Sequence, residues 1–228
     1  MSILTKEFRL LYGNKVFLLC FLFFTLIYSA IGYGARYVYE EVVNDLNVVY
    51  YFIFVYSMSL TLLMLQVYPA SNDIREQAYG GVENILATGY PLSKLILHKM
   101  LPIFSALYLP SSIMVVIIII WSKLYLAGLV ALLCILPVIN AGLSLIYTCT
   151  VLLSPIPGMV MNQISFYAVA GIFLLSYGPV LIYRTTGYVV GIKVSILLSF
   201  VFSLLVGFRA YRKFKKTDKE TIIIRGDY

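Results

Sequence analysis

The segment Met100–Leu153 reads MLPIFSALYLPSSIMVVIIIIWSKLYLAGLVALLCILPVINAGLSLIYTCTVLL, and its reading decides the architecture. No acid interrupts it, and Lys123 is its only Lys or Arg. A helix rises ~1.5 Å per residue and the hydrocarbon core of a bilayer is ~30 Å thick, so this tract is too long for one crossing and suits two. Trp121, Ser122 and Lys123 mark the break, because a Trp beside a Lys fits a membrane surface. The expected spans are 100–120 and 125–153.

Outward from this tract, the same reasoning places four more spans. Pro155, Ile156, Pro157 and Gly158 end the fourth, since closely spaced prolines and a glycine cannot continue a regular helix. Spans 163–183 and 188–208 follow, separated by Arg184, Thr185, Thr186 and Gly187, and 178–193 has the alternative of a re-entrant hairpin near the outer surface. Towards the amino terminus lie spans 48–68 and 16–34. Ahead of them Ile3, Leu4, Phe8, Leu11 and Tyr12 recur at helical spacing, with Lys6, Glu7, Arg9, Asn14 and Lys15 between, which predicts an amphipathic helix over 1–15 in the headgroup plane. The first apolar run is too long for the h-region of a cleavable signal peptide, so it is expected to stay as a span. The expected fold is an all-α membrane protein of six transmembrane helices, with an N-terminal interfacial helix and a short cytoplasmic helix between spans 2 and 3.

Composition agrees. The chain is 61% hydrophobic and 12% charged, against roughly 25% charged in soluble domains, and its mean hydropathy is +0.94. The net charge of +7 does not point to nucleic acid, because most charge sits at the ends of apolar runs rather than on a solvated face. Cys20, Cys134 and Cys149 lie in apolar stretches without C-x-x-C spacing, which supports packing rather than a disulfide framework or zinc.

Basic residues near span ends are retained in the cytoplasm, and they fall unevenly here. One side holds Lys6, Arg9, Lys15, Arg75, Lys94, Lys99 and the tail over 209–228 with Arg209, Arg212, Lys213, Lys215, Lys216, Lys219 and Arg225. The other holds Arg36, Lys123, Arg184 and Lys193. The expectation is a multi-pass protein of a prokaryotic plasma membrane with both termini cytoplasmic.

Chemistry-bearing sets are missing from the spans. Every Asp and Glu falls outside them, and the single histidine, His98, sits beside Lys99 near the cytoplasmic boundary, where it reads as an interfacial residue. No paired-acid or Ser/His constellation for membrane catalysis can be assembled, and no G-x-x-x-x-G-K-[ST] string exists. The chain is therefore read as a non-enzyme without a cofactor of its own. Hydroxyls such as Ser57, Ser59, Thr61, Ser111, Ser112, Ser144 and Thr148 serve helix packing and interhelical hydrogen bonds. Tyr33, Tyr37, Tyr39, Tyr50 and Tyr51 gather at the outer ends of spans 1 and 2, as an aromatic belt or, for some of them, an outer gate.

The polar interval Asn72–Lys99 reads NDIREQAYGGVENILATGYPLSKLILHK. Gly80 and Gly81 break the preceding helix, Val82–Thr88 forms a short amphipathic helix with Val82, Ile85 and Leu86 on one side, and Gly89 suits its C-cap. Pro91 stops it, and Ser93 is expected to cap the next helix, which runs through Lys94 and Lys99 into span 3. A short helix held between two spans is a lever, since whatever pushes on it moves both; the plain alternative is a solvated connector.

These residues resemble the first cytoplasmic loop of the permease subunits of ABC-2 type transporters. Glu76 stands in the family's acidic stretch, Gly80 at its glycine, Val82 and Glu83 at its Leu-Glu, Ile85 and Leu86 at its leucine pair, Pro91 and Ser93 at its Pro-x-Ser, and Lys99 at its final lysine. Gly81 replaces the usual threonine and His98 the usual glycine, and KEFRLLYGNK is similar to the family's connecting helix. The chain lacks the Asn-Pro pair of the family's last two spans. The resemblance implies that Glu76, Gly80, Val82, Glu83, Ile85, Leu86, Pro91 and Ser93 form a coupling helix and its flanks, seated on a separate ATP-binding subunit that carries ATP and Mg. It implies a second permease chain, identical or homologous, and a pathway for a hydrophobic or amphipathic exported substrate, with Tyr33, Tyr37, Tyr50 and Tyr51 as the possible outer gate. Rival readings are a non-transporting anchor or assembly subunit that recruits a cytoplasmic partner, and a membrane enzyme acting on lipids, which the missing acid and histidine sets disfavour.

Overall fold

A computed structural model describes residues 3–38, 40, 46–68, 81–153 and 191–217, with isolated positions at 166, 170, 182 and 185–187. Every regular element among them is helical. In chain order these are α1 (Ile3–Tyr12), α2 (Lys15–Val38), α3 (Leu46–Val67), the short α4 (Gly81–Ala87), α5 (Leu92–Ser122), α6, and α7 (Ile192–Lys216). The rod α6 has three parts: Tyr125–Val130, a π-helical turn Ala131–Ile135, and Leu136–Leu153. Among the described residues three stretches are long and apolar enough to cross a membrane, Lys15–Tyr37, Leu92–Ser122 and Tyr125–Leu152, and Ile53–Val67 is a shorter apolar helix. Span 163–183 and the hairpin alternative at 178–193 fall largely outside the described residues.

The break inside the long apolar tract lies where its polar residues put it. Ser122 ends α5, Lys123 takes a left-handed conformation at φ 57°, and α6 starts at Tyr125. The turn is tight enough that Gly128 packs directly on α5: a Cβ there would stand 2.2 Å from Ile119 Cγ1. The indole Nε1 of Trp121 donates to the Gly32 carbonyl at 2.9 Å, tying the far ends of α5 and α2 together.

Several helix ends differ from the expected boundaries, each for a local reason. The interfacial helix stops at Tyr12, and Asn14 caps a separate α2, its Oδ1 accepting from Val16 N at 3.0 Å and Phe17 N at 3.1 Å. That α2 continues past 34 to Val38, with Arg36 Nε on Glu40 Oε1 at 2.9 Å bracing its exposed end. Ser93 is not a cap: Pro91 holds the N-cap position without a side-chain hydrogen bond, and α5 runs from Leu92 through Lys94 and Lys99 into the stretch 100–120, the continuous course expected of it. Helix α7 carries the expected tail onward to Lys216, with Lys213, Lys215 and Lys216 in its last turn, where cations complement the negative end of the helix dipole.

At the centre stands α5, packed against α1, α2, α3 and α6, while α7 lies along α6. The main core joins Phe17, Ile53, Leu60, Met64, Ile103, Leu107, Met114, Ile118, Ile135, Ile139 and Tyr147 across these helices. Hydroxyl chemistry threads through it. Thr61 Oγ1 lies 2.9 Å from Ser111 Oγ and donates to Asn140 Oδ1 at 3.1 Å, so α3, α5 and α6 meet at one buried polar knot. Backbone irregularity flanks the knot: Pro102 and Pro110 lie inside α5, each lacking the N–H of a regular turn, and the π turn of α6 receives the Tyr108 hydroxyl on its Leu132 carbonyl at 3.0 Å. Of the cysteines, Cys149 is buried as expected for a packing residue, Cys20 is half-buried and Cys134 is exposed.

Candidate functional site

The segment Gly81–Gly89 forms the short helix and turn that its residues predict. Helix α4 ends at Ala87, and Gly89 adopts φ +82°, a left-handed conformation that a side chain would resist. The closing hydrogen bonds run from Gly89 N to the Leu86 carbonyl at 3.1 Å and from Thr88 Oγ1 to the Ile85 carbonyl at 2.7 Å. Pro91 then opens α5, its carbonyl accepting from Lys94 N and Leu95 N at 3.1 Å each.

This helix is fastened to the bundle by its apolar side. Val82 and Leu86 are wholly buried among Leu95 and Ile96 of α5 and Cys149 and Leu152 of α6, with Ile3, Ile85, Tyr90, Leu92, Leu145 and Phe214 around them. Five helices, α1, α4, α5, α6 and α7, thus contribute to one small core, separate from the main one. Burying a side chain such as Leu86 is worth about 1.5–3 kcal/mol, which holds so short a helix against the ends of the longer ones. Leu86 is consequently not an exposed anchor for a partner; its apolar surface is already spent inside this chain. Ile85 is half-buried beside it, and Asn84, Ala87, Thr88 and Gly89 form the exposed side of α4 and its turn.

The remaining residues of the expected coupling set have different placements. Pro91 and Ser93 are exposed at the start of α5. Glu76 and Gly80 lie outside the described residues, and of Glu83 only the backbone, within α4, is described. His98 is half-buried, and its Nδ1 shares a hydrogen bond of 3.0 Å with the Tyr90 hydroxyl, which braces the α4–α5 turn against α5.

An ion pair lies under this small core. Lys99 Nζ donates to Glu7 Oε1 at 3.0 Å, with side chains only 6% and 8% exposed. The spacing of α1 puts Glu7 on its polar face and the basic-residue count puts Lys99 on the cytoplasmic side, yet α1 packs so closely on α5 that both side chains are enclosed. A second link, Tyr12 Oη to Ser105 Oγ at 2.9 Å, holds the other end of α1 to α5. No period or motif announces this pair, because its partners are far apart in sequence and become neighbours only through packing. Beside it, Val82, Lys99, Ile103, Tyr147, Thr148, Val151 and Leu152 line a cavity of about 10 Å³, the size of one water molecule.

At the opposite end, Tyr33 and Tyr37 are exposed and meet edge to face at 6.3 Å. The side chains of Tyr50 and Tyr51 lie outside the described residues. Among the described residues no group of three His, Cys, Asp or Glu is placed to hold a metal.

The arrangement can transmit force. A push on the exposed side of α4 bears on α5 and α6 through Val82 and Leu86, and α5 is coupled to α1 through Lys99. Compared with family models, characterised proteins and solved structures, the chain finds no match.

Proposed function

We propose that this chain is a membrane-spanning permease subunit of an ATP-binding cassette exporter, with the six spans and ABC-2 type topology that its sequence leads one to expect. The observation that carries the reading is the mounting of α4: a seven-residue helix set between α3 and α5, rooted in a core of its own at the ends of α5, α6 and α7, with Asn84, Ala87, Thr88 and Gly89 left outward. A solvated connector has no need of two wholly buried anchors. In this reading the exposed side of α4 seats on a cytoplasmic ATPase that binds ATP and Mg. A second permease chain completes a pathway for a hydrophobic or amphipathic substrate, and both termini face the cytoplasm. Nucleotide binding and hydrolysis act by stabilising one arrangement of α4 over another, since contacts equal in both states would shift nothing.

The test is co-purification with a candidate cassette ATPase encoded beside this chain. Asn84→Arg with Ala87→Arg alters the exposed side of α4 while sparing Val82 and Leu86. The pair is expected to abolish both complex formation and ATP-dependent export. If both survive, the coupling role fails; if the complex is lost while no export is ever observed in the wild type, the chain is a recruiting anchor instead.

A further inference from the structure

Helix α7 has two characters along its length. Leu197, Leu204, Leu205 and Phe208 are exposed apolar residues, as a helix in contact with lipid requires, and Tyr211 continues them at 60% exposure. From Arg209 onward the surface turns basic: Arg209, Arg212, Lys215 and Lys216 are exposed, Lys213 is half-buried, and no acid occurs between 209 and 216. The guanidinium of Arg212 stands 5.0 Å above the ring of Phe208, which holds a cation at the level where the apolar surface ends.

The neighbouring surface has the same sign. Phe214 of α7 and Ile3 of α1 belong to one core, so the two helices share an end of the molecule. There Lys6 and Arg9 are exposed, while the acid between them, Glu7, is turned inward onto Lys99. The internal ion pair thus removes the one α1 carboxylate that would offset the surface cations. Cations near a helix C-terminus also favour its dipole, but that effect fades within the last turn and does not account for Arg209 and Arg212.

We propose that the surface of α7 from Phe208 to Lys216, flanked by Lys6 and Arg9 of α1, is a docking collar for the headgroups of anionic phospholipids. Basic residues directly beyond an apolar helix attract anionic headgroups through charge, and the aromatic rings fix the depth at which they do so. The inference rests on the chain residing in a bilayer and needs no ATPase, so it stands or falls separately from the transporter reading.

The experiment uses the full chain purified in mild detergent with equal amounts of phosphatidylglycerol and phosphatidylcholine, with retained lipids counted by native mass spectrometry. Wild type is expected to retain phosphatidylglycerol in preference by at least about fivefold. Arg212→Gln with Lys215→Gln and Lys216→Gln should remove that preference, whereas Arg36→Gln with Lys123→Gln at the opposite end should keep it. Lys215→Gln with Lys216→Gln alone, in the exposed last turn, provides a reduced preference without risk to packing, and raised salt must weaken the wild-type preference. Equal retention of the two lipids by wild type, or a preference that survives the triple substitution, overturns the proposal. So does a triple variant that loses a co-expressed ATPase while keeping the lipid preference, because the surface then belongs to that protein.

Discussion

Lys99 Nζ and Glu7 Oε1 meet at 3.0 Å with both side chains nearly sealed from solvent, joining the first helix of the chain to the longest described one. Removing one member of such a pair leaves a charge buried without its counterpart, at a cost of about 3–5 kcal/mol, while replacing both by apolar groups of similar size is often neutral. Glu7→Gln should therefore lower the unfolding midpoint sharply, and Glu7→Leu with Lys99→Met should recover most of the loss. A double variant no more stable than Glu7→Gln in thermal unfolding would show that the pair does not act as a unit.

Leu86 offers a second measurement, this time of how α4 is mounted. Truncation to Ala removes its contacts with Leu95, Ile96 and Leu152, and buried Leu→Ala changes cost about 2–5 kcal/mol. Because α4 has its own core, the loss should appear locally. Hydrogen exchange should quicken in Gly81–Ala87 and the first turns of α5 while Met114 and Ile118 in the main core stay protected. Uniform acceleration throughout the bundle would contradict two separate cores.

The polar knot predicts an order of stabilities. Asn140 is wholly buried, accepts from Thr61 through Oδ1, and its Nδ2 has no hydrogen-bond partner among the described residues. Thr61→Val would leave Oδ1 without its donor, a loss of about 1–3 kcal/mol. Asn140→Ala instead removes the unsatisfied amide together with one interhelical hydrogen bond worth about 0.6 kcal/mol. Unfolding midpoints should therefore rank Asn140→Ala above Thr61→Val, and the reverse order would refute this account of the knot.

Close approach at the α5–α6 turn can be tested by compensation. Gly128→Ala places a Cβ against Ile119, whose Cγ1 would lie only 2.2 Å away, and overpacking of this kind costs about 1–3 kcal/mol. Adding Ile119→Ala should restore part of the midpoint lost by Gly128→Ala. Strictly additive losses would mean that the two residues do not press on each other.

Much of this fold is written locally. The hairpin of α5 and α6 is legible from Trp121, Ser122 and Lys123, since a charge amid a long apolar run has nowhere to go but the surface. Helix α4 is legible too, because Gly89 readily takes the left-handed conformation that ends it and Pro91 cannot continue it, whatever surrounds them. The apolar side of α4 was visible in the spacing of Val82, Ile85 and Leu86, but spacing does not say what covers an apolar side. Resemblance suggested a partner protein for Leu86; the ends of α5 and α6 cover it instead. Hydropathy falls after Phe208 while the helix of α7 runs on to Lys216, because its backbone hydrogen bonding continues through exposed cations that suit a helix terminus.

By itself, then, the sequence determined the helical class, the apolar rods, the α5–α6 turn and the short helix ahead of α5, because period, turn chemistry and charge exclusion act between residues close in the chain. Only the tertiary structure decided that Glu7 closes on Lys99, that Thr61 reaches Asn140, and that α4 is rooted in its own chain. Those pairings join residues 79 and 92 positions apart in the two hydrogen bonds. Which of many polar groups meet across a bundle depends on the rotation and depth of each helix, and packing sets both.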